Sequence, residues 1–254
     1  DLRSRQRQLF TESIPHLLDR VQWLEAAPQG NFVGVIIANE VLDAMPVNKI
    51  VVGSVPLEQC VTYKDNRLQW EQCEISSERF KNAISALEQD FVTGYESEIN
   101  LYLPGWIKSI ADSMSQGVVL LIDYGFSRSE YYSPGRNMGT VMCHFRHRAH
   151  VDPLVYSGVQ DITAHVDFTA VAESACESGL DVLAYTNQAG FLIDCGIEAL
   201  TRSDDVVARY QLAQQVKMLT MPSEMGERFK VMALGKQYSF DLLGFVNHDQ
   251  LFRL

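Results

Sequence analysis

None of the 16 glycines falls in a GxG pattern. A cofactor phosphate or nucleoside cradled by a glycine-rich first turn therefore finds no such turn inside this chain. GxSxG, GxxxxGK[ST] and HExxH are absent as well, which removes the commonest hydrolase, nucleotide-phosphate and zinc-peptidase patterns. The five cysteines (Cys60, Cys73, Cys143, Cys176 and Cys195) are odd in number, scattered, and form no CxxC pair. Such thiols read as reduced and structural, as in a cytosol-like compartment. Basic residues are in the minority, 21 Lys and Arg against 32 Asp and Glu, for a net charge of -11. That balance argues against a nucleic-acid partner and suits a small molecule or a partner presenting basic groups. No run approaches the roughly 18 apolar residues of a membrane span, and no signal-peptide pattern is present, so no membrane insertion is expected. The first residue is Asp1, and Arg3, Arg5 and Arg7 lead straight into a helix-like segment. The expectation is a chain that begins inside a domain.

What is present is ordinary in bulk and specific in detail. A chain of 254 residues, 46% hydrophobic and 21% charged, suffices for one large α/β domain or two small ones. The most informative stretch runs from Val35 to Pro46. A short β-branched run, Val35 to Ala38, reads as a buried strand and ends in Asn39 and Glu40, with Asp43 three residues later. Ligands bind outside the carboxyl ends of parallel strands. If Asn39 to Met45 turn once as a helix, Glu40 and Asp43 share a face. Two neighbouring carboxylates repel unless a guanidinium or a metal lies between them. The alternative is an N-terminal helical turn with its usual acidic residues.

Residues 2 to about 19 read as a helix bent at Pro15, and Val21 to Leu24 as a short strand. Asn48–Val52, Leu57–Tyr63 and Arg67–Trp70 read as antiparallel strands, the last two joined at Lys64-Asp65-Asn66, within an insertion spanning 47–75. Ser76 or Ser77 caps a helix through Phe80, Ile84, Leu87 and Phe91. A helix over Tyr102–Met114 and a second apolar strand, Gly117 to Gly125, follow; Asp123 stands near that strand's carboxyl end. A helix from Phe168 to Ser178 stops at Gly179. A strand at Asp181–Thr186, a helix at Ser203–Leu219 and a strand at Arg228–Leu234 complete the pattern. Alternating helices and strands predict an α/β fold with a mostly parallel sheet.

A second chemical block runs from Gly158 to Phe168. It places Asp161, His165 and Asp167 within seven residues, just before a helix. Asp167 is equally suited to capping that helix, and His165 to an ordinary hydrogen-bonded loop. His144, His147 and His150 are spaced like metal ligands, but Arg146 and Arg148 lie between them, which disfavours a cation. A basic clamp for an anionic group or a solvated loop fits that run better, and no metal is expected.

These blocks together resemble the MidA-like family of class I S-adenosylmethionine-dependent methyltransferases, which includes the mitochondrial complex I assembly methyltransferase. The matching pieces are Ala38-Asn39-Glu40 through Pro46, Leu121 to Gly125, Gly139-Thr140, His147 to His150, Gly158 to Phe168, Gln188 to Gly196 and Met225 to Val231. They occur in order over nearly the whole chain. The resemblance implies a Rossmann-like methyltransferase sheet, with Val21–Leu24 as its third strand, Phe32–Ala38 its fourth and Val118–Ile122 its fifth. The two C-terminal runs form the antiparallel pair. The first two strands, with the glycine-rich loop and the ribose-binding acid, would precede Asp1. One methyltransferase-like domain over 1–254, incomplete at its N-terminus, is expected.

The resemblance further implies S-adenosylmethionine as cofactor and methyl transfer to an arginine of a protein substrate, such as a subunit of respiratory complex I. Glu40, Asp43 and His165 are then the expected catalytic residues. Asp123, Tyr124, Asp161 and Asp167 are expected at the substrate, and Asn39, Trp23 and Leu24 at the cofactor. A bacterial cytoplasm or a mitochondrial matrix would house such a protein, and a homodimer stays open. Two other readings stand beside it: a non-catalytic assembly factor that keeps the fold without the cofactor, and a small-molecule methyltransferase with a narrower groove.

Overall fold

The computed structural model describes residues 2–26, 28, 31–87, 89, 91–146, 148–238 and 241–254. In chain order the strands are β1 (Phe32–Asn39), β2 (Asn48–Val52), β3 (Pro56–Lys64), β4 (Arg67–Glu74), β5 (Glu96–Ile99) and β6 (Met114–Phe126). They continue with β7 (Met142–Phe145), β8 (Arg148–His150), β9 (Asp161–Thr163), β10 (Val166–Asp167), β11 (Asp181–Asn187) and β12 (Phe229–Lys236). The helices are α1 (Leu2–Ser13), α2 (Glu78–Ser85), α3 (Leu103–Ser113), α4 (Arg128–Tyr131), α5 (Phe168–Glu177), α6 (Gln188–Asp194) and α7 (Val206–Thr220). No helix among the described residues is long and apolar enough to cross a membrane.

The main sheet has the order β1-β6-β12-β11. β1 and β6 are parallel, whereas β12 runs antiparallel to both β6 and β11. This is the α/β sheet with the antiparallel C-terminal pair that the resemblance implies; the mostly parallel sheet expected from the alternation is not met among the described strands, because β12 runs against both its neighbours. β12 is buried along all but its last residue, because both faces of the sheet are covered there. On one face α3 and α5 bring Leu103, Ile107, Phe168 and Val171 against Val119, Leu121 and Met232. On the other, Phe191 and Phe245 cover Val118, Ala184 and Val231.

β1 departs from expectation. Its apolar run is not buried throughout: Val33, Val35 and Ile37 are each more than 60% exposed, while Ala38 is buried. Side chains alternate across a strand, and only the face turned to α3 and α5 finds a partner among the described residues. Val21–Leu24 forms no strand either. Its Trp23 packs edge-on against Phe10 with ring centroids 6.2 Å apart and donates Nε1–H to Gln6, so side-chain contacts to α1 hold this segment where a ladder was expected.

The second sheet, β4-β3-β2-β5, is antiparallel. Its β3–β4 hairpin turns at Asp65 and Asn66, both at positive φ (51° and 62°), the primed geometry that short hairpins favour. β5 joins it from beyond the 47–75 stretch. Ser77 caps α2 through the Phe80 amide, and Asp167 caps α5 through Ala170. A small third sheet, β8-β7-β9, lines a common cleft with Tyr124 and Phe126 at the carboxyl end of β6.

β1 and β6 meet across a glycine pair, Gly34 opposite Gly117. Gly117 sits at φ +144°, and a Cβ there would lie 1.9 Å from the Gly34 carbonyl oxygen. Backbone rather than a flexible side chain blocks the space, so the strands must separate. The Gly117→Ala variant is expected to lose about 3 kcal/mol or more, which urea titration measures.

Candidate active site

The site begins where the β1–β6 ladder ends. The Glu40 amide donates to the Ile122 carbonyl at 2.9 Å, and at Glu40 the chain then enters the left-handed region, φ +49°. Non-glycine residues rarely adopt this conformation without support. Support comes from Asp123 on the neighbouring strand. Its Oδ2 accepts the successive amides of Val41, Leu42 and Asp43 at 3.2, 2.9 and 3.2 Å. Oδ1 accepts the Tyr124 amide at 2.8 Å. The expected helical turn after Asn39 is therefore replaced by a nest of amides around one carboxylate.

The expectation that Asp123 touches substrate is not met, because it is 1% exposed and both oxygens serve the backbone. Burial, and next the Asp43 charge, push its carboxyl up to about 7 against the pull of those amides.

Asp43 is buried, and its carbonyl accepts the Ala164 amide at 2.9 Å, joining the two sequence blocks directly. Its Oδ1 has no hydrogen-bond partner. A buried carboxylate oxygen in this state is costly until a donor reaches it. Burial raises the Asp43 pKa first and the Glu40 charge second. Glu40 itself is exposed and accepts Asn39 Nδ2–H at 3.3 Å.

Glu40 and Asp43 open into a cleft of about 1140 Å³ that Tyr124, Asp161 and His165 also line. Five of the ten expected site residues thus meet in one space. His165 lies edge-on to Phe126 and Tyr124, with centroids 5.2 and 6.0 Å away. Its Nδ1 is buried and unpartnered. Burial, then the charges of Arg136 and Arg228, lower its pKa to about 4, so the ring is neutral at physiological pH.

Three other expected residues lie elsewhere. Asp167 caps α5 and pairs with Arg128 at 3.4 Å, and Arg128 also pairs with Glu173. It lines a second cavity of about 350 Å³, which shares Ala164 and His165 with the cleft. Trp23 and Leu24 do not line the cleft; their segment packs with α1. His144 and Arg146 face the cleft, whereas His150 stacks edge-on to Tyr156. Strand alternation explains this, because His144 pairs with Ala149 and His150 with Cys143. His147 lies outside the described residues. Sequence reasoning missed Arg228 and Thr140 as cleft residues, although both fall in blocks that carry the resemblance.

The geometry amounts to a parallel-strand mouth with two acidic side chains, one of them unpartnered, in a cleft with a neutral imidazole. A family model described as "Putative S-adenosyl-L-methionine-dependent methyltransferase" matches residues 1–186, and the chain belongs to that family. It is 33% identical to protein arginine methyltransferase NDUFAF7, mitochondrial, of Bos taurus over 127 residues, 48% of this chain and 27% of that protein. The Drosophila melanogaster homolog is 27% identical over 224 residues, 83% of this chain and 48% of the relative. The chain thus spans half or less of these curated relatives. Two crystal structures from Burkholderia thailandensis superpose on the whole chain. One, native, has a TM-score of 0.93 at 37% identity; the other, bound to S-adenosyl-homocysteine, has 0.92 at 36%. The chain covers 68% and 66% of them.

Proposed function

We propose that this chain forms the acceptor side of an S-adenosylmethionine-dependent methyltransferase that modifies arginine on a protein. The observation that carries this reading is the buried, unpartnered Asp43 Oδ1 beside Glu40 in the cleft. The donor set suits cations, and both a sulfonium and a guanidinium are cations. Bound S-adenosylmethionine supplies an electrophilic methyl group. Asn39, exposed at the end of β1, is the residue we assign to it.

A guanidinium is a weak nucleophile because its nitrogen lone pairs are delocalised and it stays protonated. Carboxylates gripping one edge draw the positive charge there, leaving the far nitrogen richer in electrons. Charge-assisted contacts to Glu40 and Asp43 also fix the direction of that nitrogen. As the nitrogen bonded to the methyl carbon, the carbon–sulfur bond would break, S-adenosylhomocysteine would leave with that electron pair, and the nitrogen would give up a proton far more acidic than in a free guanidinium. A neutral imidazole of low basicity at His165 therefore suffices to receive it, directly or through water. The protein nature of the substrate is supported by the arginine methyltransferase names of the relatives and by a cleft large enough for more than one side chain. Those relatives are named mitochondrial, which supports the same compartment in a eukaryotic host.

Radiolabelled S-adenosylmethionine offered with paired peptides differing only in arginine or lysine tests the reading. Label is expected in the arginine peptide and recovered as methylarginine after hydrolysis. Label in lysine, or cofactor binding without transfer to any peptide, overturns it.

A further inference from the structure

Glu98, on β5 of the second sheet, is 1% exposed and, although Lys49 stands opposite it on β2, it makes no ion pair among the described contacts, Lys49 pairing with Glu96 instead. Its Oε1 instead accepts three neutral donors: the Thr140 amide at 2.7 Å, the Thr140 hydroxyl and the Tyr131 hydroxyl at 2.9 Å. Its Oε2 is buried without a partner and lies against Gly139, where a Cβ would come within 2.2 Å of it. Gly139 is at φ +74°, so the backbone conformation and the space both require glycine. The Thr140 hydroxyl also accepts the His165 amide at 2.9 Å and lies 3.3 Å from the Tyr131 hydroxyl.

A buried carboxylate with only neutral donors is an expensive way to hold a loop. It is retained here where the second sheet, the Gly139-Thr140 loop and the His165 segment meet. We propose that Glu98 is a positioning residue for the acceptor cleft. Delivered by the second sheet, it fixes Thr140, and through the Thr140 hydroxyl it sets the place of the His165 ring. The second sheet is then part of the catalytic apparatus rather than an appendage. This inference rests on the methyl-transfer reading for its kinetic consequence, but its structural consequence can be read without any substrate.

The test compares Thr140→Val, which keeps the volume and removes the hydroxyl, with Thr140→Ser, which restores it, and with Glu98→Ala. The His165 imidazole resonances in long-range ¹H–¹⁵N spectra are recorded beside kcat and KM for the arginine peptide. Thr140→Val is expected to move the His165 signals and to lower kcat about tenfold or more, with KM within about threefold. Thr140→Ser recovers both. Glu98→Ala, if folded, moves the same signals; if it does not fold, the threonine pair decides. His165 signals unmoved in a folded Thr140→Val or Glu98→Ala protein overturn the proposal, as does wild-type kcat in Thr140→Val. Should wild type methylate no arginine at all, the arginine reading fails while the imidazole shifts still decide the positioning role.

Discussion

In the intact protein, the Glu40→Gln variant is expected to lose methyl transfer to arginine by about two to three orders of magnitude while its S-adenosylmethionine affinity stays within a few-fold of wild type. A carboxylate about 4 Å from a guanidinium at an effective dielectric near 20 contributes about 4 kcal/mol. Desolvation of the exposed Glu40 cancels part of that, and each 1.4 kcal/mol corresponds to about tenfold in rate. The amide keeps the shape and one acceptor oxygen but removes the charge that polarises the guanidinium. Single-turnover kinetics with prebound cofactor separate the two effects. The variant also relieves Asp43 of its second-largest destabilising influence, so the Asp43 carboxyl should titrate lower than in wild type. Unchanged single-turnover rates would remove Glu40 from the chemistry.

The second large effect concerns Asp123. In Asp123→Ala the amides of Val41, Leu42 and Asp43 lose their common acceptor. Each buried donor left unsatisfied costs about 1–3 kcal/mol, so a loss of about 3 kcal/mol or more is expected, read from urea-induced unfolding. Glu40 also loses the restraint that keeps it at positive φ, and a misplacement of about 1 Å can cost about a hundredfold in rate.

The pH dependence distinguishes this carboxyl from the others. Its folded-state pKa, about 7, exceeds its ordinary value near 4. The native state therefore holds more protons than the unfolded chain between those values. This group's contribution to stability is full below about pH 4 and is withdrawn as pH rises towards 7. Asp123→Asn cannot titrate, and the corresponding slope should vanish from its stability profile. A wild-type profile without that slope would mean that Asp123 is ionised in the native protein.

Local features were readable to the extent that their causes are local. The Ser77 and Asp167 caps and the Asp65-Asn66 turn each depend on residues a few positions apart, whereas the apolar period read from Phe80 through Leu87 and Phe91 overran the helix, which ends at Ser85. Asp167 shows the limit of this reading. Its capping role and its candidacy for substrate were both visible, and the structure shows the cap together with an Arg128 pair that no local spacing announced. Glu98 carried no signal at all. A glutamate on a four-residue strand reads as a surface residue, and nothing nearby announces that Thr140 and Tyr131 will enclose it.

The amino-acid sequence by itself determined the alternation of strands and helices, the acidic tip after β1 and the membership of the methyltransferase family, because these reside in order, spacing and residue type. The tertiary structure alone decided that Glu40 and Asp43 share a cleft with Tyr124, Asp161 and His165. It also decided that Asp123 lies beneath that cleft as a support, and that Trp23 lies away from it. Those outcomes rest on contacts between groups such as Val41 and Asp123, which are 82 positions apart. Burial and orientation at such separations follow from how the sheets and helices pack, and no local spacing records them.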